Sequence, residues 1–161
     1  MPELDDVDLR LLDELQRDAD RPNVELARIV GLSPAATLKR IRRLKDEGVI
    51  EAIRARVDAN ALGYPLHVFV MCTLGEHDER ANRRFENAIK KIPNVVRADW
   101  VTGETDALLQ VVARDVGELQ RVLMLLSSGA GAARILTLLQ LEELKKPSPI
   151  PRPPRQAPRA T

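Results

Sequence analysis

The chain has 161 residues, 44% apolar and 30% charged, and with only four aromatic side chains (Tyr64, Phe69, Phe85 and Trp100) its core must be aliphatic. A formal net charge of +1 excludes a uniformly basic nucleic-acid-coating protein, a single cysteine (Cys72) excludes an internal disulfide framework, and Cys72 with only His67 and His77 gives no zinc-site spacing. No apolar run approaches the roughly 18 residues of a membrane span and the start is acidic (Glu3, Asp5, Asp6, Asp8), so a soluble cytoplasmic protein without metal, cofactor or membrane partner is expected.

Residues 6–18 place Val7, Leu11, Leu12, Leu15 and Ala19 on one stripe, which predicts an amphipathic helix with acidic residues in its first turn. Arg21-Pro22 interrupts it. Asn23 is a candidate N-cap for a short helix over 24–30 with Leu26, Ala27 and Ile29/Val30 inward, ended by Gly31. Ser33 then offers a second cap, and Pro34 suits the first position of a third helix reaching about Glu47. In that helix Leu38, Ile41 and Leu44 are the expected anchors, with Thr37 and the stem of Lys45 beside them, while Ala36, Lys39, Arg40 and Arg43 lie on another side. Gly48 is its stop, residues 49–57 read as one or two short extended segments, and residues 58–65 read as a linker.

The second half begins with a strand over 66–74, then a helix over 78–91 with Ala81, Phe85, Ala88, Ile89 and Ile92 inward. Strands over 95–102 and 107–113 flank the hairpin-length connection Gly103-Glu104-Thr105-Asp106, and a helix over 116–126 and a strand over 134–144 follow. Strand, helix, strand, strand, helix, strand is the ferredoxin-like order. Both faces of its strands are apolar: Val68, Val70, Cys72 and Leu74 oppose Phe69 and Met71, and Ile135, Leu139 and Leu141 oppose Leu136 and Leu138. Two helices cover one face, so a homodimer through the other is expected. Residues 147–161, with six prolines and three arginines, read as a disordered tail.

Charge is unevenly distributed along this layout. Residues 1–32 hold nine acidic and four basic side chains, whereas residues 33–57 hold seven basic and three acidic. Three short helices, a Gly31-Leu32-Ser33-Pro34 turn and a third helix bearing Lys39, Arg40, Arg42 and Arg43 satisfy the requirements of a helix-turn-helix DNA reader. Asn23, Ser33, Ala35, Ala36, Lys39 and Arg40 are the residues expected near base edges or the groove, with Arg42 and Arg43 leaning on phosphates.

Five stretches resemble the Lrp/AsnC (leucine-responsive, or feast/famine) family of transcription factors: Leu4-Asp5-Asp6-Val7-Asp8, Asn23-Val24-Glu25-Leu26-Ala27, Val30-Gly31-Leu32-Ser33-Pro34, Arg40-Ile41-Arg42-Arg43-Leu44 and Glu47-Gly48-Val49-Ile50. The resemblance covers residues 4 to about 146. It implies an α+β chain: a helix-turn-helix domain over 1–57, the linker 58–65, and a ferredoxin-like (RAM-type) domain over 66–146 that dimerises and binds a small effector, commonly an amino acid. It also implies assembly of dimers into octamers or similar rings. The family's effector loop, usually Gly-Asp-aromatic-Asp, corresponds to Gly103-Glu104-Thr105-Asp106, where Gly103 and Asp106 match and Glu104 and Thr105 depart. By that resemblance Asp106 would meet an effector's amino group and the backbone near Thr102 and Gly103 its carboxylate.

The alternative reading of the loop is a tight hairpin with Asp106 serving turn hydrogen bonds. Cys72 alternates with valines and reads as core, Trp100 as buried at the sheet or a dimer interface, and His67 and His77 as lacking partners at catalytic spacing. The chain is therefore expected to be a DNA-binding, effector-tuned transcriptional regulator and not an enzyme, because no nucleophile, base and oxyanion set is present. The alternative function is an amino-acid-binding or assembly module with little or no DNA recognition.

Overall fold

The structure, a computed structural model, describes residues 2–152. The chain forms two compact units, one comprising the residues up to Ala55 together with those from Lys145 on, the other Arg56–Leu144. Among the described residues no helix is long and apolar enough to cross a membrane.

The first unit is built from α1 (Asp6–Arg17), α2 (Asn23–Val30) and α3 (Pro34–Asp46). Leu11, Leu26, Val30, Ile41 and Leu44 close its core, with Leu4, Val7, Leu12, Leu15, Leu32, Val49 and Ile50 packed around them. The turn between α2 and α3 needs a left-handed residue, and Gly31 supplies it at φ 75°, its N–H donating to the Ala27 carbonyl. Ser33 caps α3 by accepting from Ala36 N at 3.2 Å, and Pro34 occupies the first turn.

Three details of this unit differ from expectation. Pro22, not Asn23, is the N-cap residue of α2, and it makes no side-chain cap bond; Asn23 is the first helical residue. Thr37, not Leu38, joins Ile41 and Leu44 as the buried side of α3, its hydroxyl satisfied by the Ser33 carbonyl at 3.0 Å, while Leu38 is 40% exposed. A helix turns about 100° per residue, so Leu38 falls outside the arc that 37, 41 and 44 share. Residues 51–58 enter neither helix nor strand.

The C-terminal residues are also more engaged than a solvated tail. Ile150 and Gln16 on α1 form a reciprocal pair, Ile150 N donating to Gln16 Oε1 at 2.8 Å and Gln16 Nε2 to the Ile150 carbonyl at 3.5 Å, and Arg152 pairs with Asp13. The rest of the expected disordered tail, residues 153–161, lies outside the described residues.

The second unit contains β1 (Leu66–Leu74), α4 (Glu79–Ile89), β2 (Val95–Trp100), β3 (Ala107–Ala113), α5 (Val116–Met124) and β4 (Ala132–Leu139). Its strands form one antiparallel sheet in the order β2-β3-β1-β4, as the ferredoxin-like reading requires. Asp78 and Asp115 cap α4 and α5, each accepting from a backbone N–H at 2.7 Å. A π-turn over Leu125–Gly129 ends α5, where a plain helix was expected to stop at 126. Val68, Val70, Cys72, Leu74, Leu109 and Val111 point under the helices onto Phe85, Val122 and Leu126.

On the other face, cross-strand register aligns Leu108, Met71 and Leu136 in one row and Gln110, Phe69 and Leu138 in the next. Leu136 and Leu138 are about half exposed there. Leu141, expected in the last strand, lies beyond β4 and is fully open to solvent.

Candidate nucleic-acid interface and effector loop

The start of α1 carries an unusual capping box. Asp5 accepts from Asp8 N at 2.8 Å and Asp8 accepts from Asp5 N at 3.2 Å, with a short Asp where Glu or Gln is usual. The shorter side chain keeps the Asp8 carboxylate inside the unit, where only 1% of it is accessible. Burying a carboxylate that way requires compensating positive charge. It comes from α3: Arg40 Nη1 donates to Asp8 Oδ1 at 2.8 Å and to Asp5 Oδ2 at 2.6 Å, and Arg43 Nη2 donates to Asp8 Oδ2. Arg43 Nε lies 3.8 Å from Glu47. The Asp8 backbone N–H and then the Arg40 guanidinium hold the Asp5 carboxyl below its ordinary pKa, and the same pairing raises that of Arg40.

Arg40 and Arg43, expected among the DNA-facing cations, are thus committed to carboxylates. Ala36 is half-buried at the helix start. The residues on the outward face of α3 are Ala35, Leu38, Lys39 and Arg42, all exposed, with Lys45 at its flank and Ser33 exposed at the cap. Among the described residues Lys39, Arg42 and Lys45 form no ion pair. Asn23 does not reach that face: its Nδ2 donates to the Pro34 carbonyl at 2.8 Å, tying the start of α2 to the start of α3. Sequence reading missed the clamp because its partners are 32 and 35 positions apart; the only local sign was an acidic pair preceding a basic helix.

In the second unit Gly103 at φ 117° turns the β2–β3 connection, with Thr102, Gly103 and Glu104 exposed and Thr105 and Asp106 half-buried. Two bonds tie the loop to the end of β1, Asp106 N and Thr105 Oγ1 both donating to the Cys72 carbonyl, at 3.0 and 2.9 Å. Asp106 Oδ2 accepts from Leu74 N at 2.8 Å and lies 3.2 Å from Nε2 of His77, a histidine for which no partner was expected. The Asp106 carboxylate therefore both closes the turn and presents negative charge at the surface.

The remaining candidates have structural roles. Cys72 is fully buried and its thiol is pushed up to about 11 by that burial, leaving it inert at neutral pH. Trp100 is not buried in an interface with the open sheet face. It sits on the helix side, tilted against Phe85 with centroids 5.5 Å apart, donates to Glu86 at 3.1 Å, and stays 46% exposed. No cluster of His, Cys, Asp or Glu able to hold a metal occurs among the described residues.

Two family profiles match the chain: a winged helix-turn-helix DNA-binding domain over residues 4–51 and an Lrp/AsnC ligand binding domain over residues 67–150. The leucine-responsive regulatory protein of Rhizobium meliloti is 38% identical over 144 residues, covering 89% of this chain and 92% of its own. A Neisseria meningitidis transcriptional regulator solved in complex with L-methionine superposes with a TM-score of 0.84 at 30% identity, covering 92% of this chain and 97% of that one. The feast or famine regulatory protein of Mycobacterium tuberculosis complexed with L-methionine superposes with a TM-score of 0.80 at 30% identity, covering 89% and 96%.

The clamp makes a stability prediction. Asp8→Ala removes the buried partner of Arg43, leaves Arg40 with Asp5 alone and opens the capping box, so the first unit should lose about 2 kcal/mol, read as a lower denaturation midpoint of the helical signal. Because the folded-state pKa of Asp5 is depressed, its contribution is present above the unfolded value near 4 and is lost as pH falls through the folded one. Unfolding followed by circular dichroism should therefore grow easier below about pH 4. Asp5→Asn should flatten that dependence.

Proposed function

We propose a function that proceeds from one premise: the chain belongs to the Lrp/AsnC family of transcriptional regulators. Residues 1–57 read double-stranded DNA, residues 58–65 join them to residues 66–146, and the latter dimerise, assemble further and bind an amino acid or a related small effector. The protein works in the cytoplasm by binding, without catalysis.

The observation that carries the DNA-reading role is the outward face of α3. Lys39, Arg42 and Lys45 stay unpaired among the described residues while Arg40 and Arg43 are spent on Asp5 and Asp8. Cations left free on a protruding helix are available to phosphates and guanine edges; cations held by carboxylates orient the helix that carries them. Ser33, Ala35, Lys39 and Arg42 accordingly approach the groove, with the half-buried Ala36 beside them, and Arg40, Arg43 and Asn23 fix its angle of entry.

Effector binding is supported by the surface charge of Asp106 beside the exposed backbone of Thr102 and Gly103, and by the L-methionine bound to two similar proteins. An amino acid would set its ammonium against Asp106, where His77 now stands, and its carboxylate against the loop backbone, with Glu104 and Thr105 bounding the site. Dimerisation is supported by Met71, Leu108, Leu136, Phe69 and Leu138 on the open sheet face, apolar side chains that an isologous partner would cover.

Three measurements test these roles. Duplexes enriched from genomic fragments at about 0.15 M salt should share a near-palindrome, and Lys39→Ala/Arg42→Ala should lose the enrichment and lower the salt slope by about one per phosphate contact removed. A folded protein that enriches nothing would instead be a ligand-binding module. L-methionine should shift operator affinity by roughly 5- to 150-fold, a response that Asp106→Asn, which keeps an acceptor for Leu74 N, should abolish. Leu138→Glu, which brings like charges together across a two-fold, should yield monomers in sedimentation with the sheet intact.

A further inference from the structure

Leu38 stands on the outward face of α3 with Ala35 one turn before it and Lys39 and Arg42 alongside, the spacing i, i+3, i+4, i+7 of a single helix face. It is 40% exposed and takes no part in the core formed by Leu11, Leu26, Val30, Ile41 and Leu44. The helix is held so by both its sides: Thr37, Ile41 and Leu44 are buried beneath it, and the buried Asp8 carboxylate grips Arg40 and Arg43. Rotating α3 to bury Leu38 would break that clamp. The outward face thus carries an apolar centre, Ala35 and Leu38, bordered by three cations, Lys39, Arg42 and Lys45, that form no ion pair among the described residues.

A major groove offers a matching surface. Phosphates on its walls suit the bordering cations, and the only apolar group on its floor is the thymine C5-methyl. We infer that Leu38, supported by Ala35, reads the 5-methyl group of a thymine in each half-site; the inference rests on the DNA-reading role proposed for α3. Discrimination has two sources. The methyl gains an apolar contact, and cytosine at the same position would turn its N4 amine towards side chains that accept no hydrogen bond. Leu38 is thereby a specificity-determining residue that carries no charge and forms no hydrogen bond.

The test uses the full chain and a short duplex selected from random sequence. Each thymine of one half-site is replaced in turn by deoxyuridine, which removes the methyl and keeps base pairing. At one position the wild-type protein should bind about fourfold more weakly, the value of one buried methyl-sized group. Leu38→Ala, which alters an exposed helix position, should bind the thymine duplex more weakly and show no difference between thymine and uracil there. Equal affinity of the wild type for every uracil-substituted duplex overturns the inference while leaving the DNA-reading role standing, as does a thymine preference that persists in Leu38→Ala. Selection of no duplex at all overturns both.

Discussion

The first unit depends on a single buried carboxylate. Asp8 closes the N-terminal turn of α1 and simultaneously pairs with Arg40 and Arg43 of α3, so the same group that begins one helix fixes the rotation of another. A buried ion pair of this kind adds little net stability against an apolar alternative, since desolvation offsets most of the attraction. It does impose register. An aliphatic contact would tolerate some sliding or rolling of α3, whereas two guanidinium groups on one carboxylate do not, and Asn23 holding the Pro34 carbonyl adds a second fixed point at the other end.

This divides the basic helix into two sets of cations with different work. Four of its charges look equivalent as a string, Lys39-Arg40-Ile41-Arg42-Arg43, yet alternate positions are turned towards opposite obligations. Charge matched by a neighbouring carboxylate adds little to the field at a distance, so the positive potential available to a polyanion is smaller than the sequence count and more sharply localised. The acidic first helix and the basic third one are better regarded as one compensated body with an uncompensated edge.

Much of this was legible beforehand, for definite reasons. Ser33-Pro34 after Gly31 gave the turn because each residue has a distinct local preference there, and alternation in Leu66–Leu74 gave the central strand because burial on a pleat has period two. Failures came where the deciding partner was remote. Leu38 and Thr37 differ by one position, and apolarity alone favoured the leucine; the arc shared with Ile41 and Leu44, the hydroxyl bond to Ser33 and the clamp from Asp8 together select the threonine side. Asn23 looked like a cap, but Pro22 takes that place and frees the amide for Pro34. Trp100 was read as buried at the sheet or a dimer interface, although an edge strand and the Glu86 carboxylate let it stay half in water. His77 had no sequence neighbour to announce Asp106. The effector loop is legible only as a turn, because the same Asp106 bonds serve a hairpin and a binding site alike.

The reciprocal bond between Gln16 and Ile150 gives the first unit a temporal dimension. Its two partners lie 134 positions apart, and the whole sheet unit is synthesised between them. At an elongation rate of about 5 to 20 residues per second, α1, α2 and α3 leave the ribosome several seconds before Ile150 does. During that interval the Gln16 edge of α1 has no Ile150 to pair with. The strap is consequently a late contact, able to close only after the whole sheet unit has been synthesised.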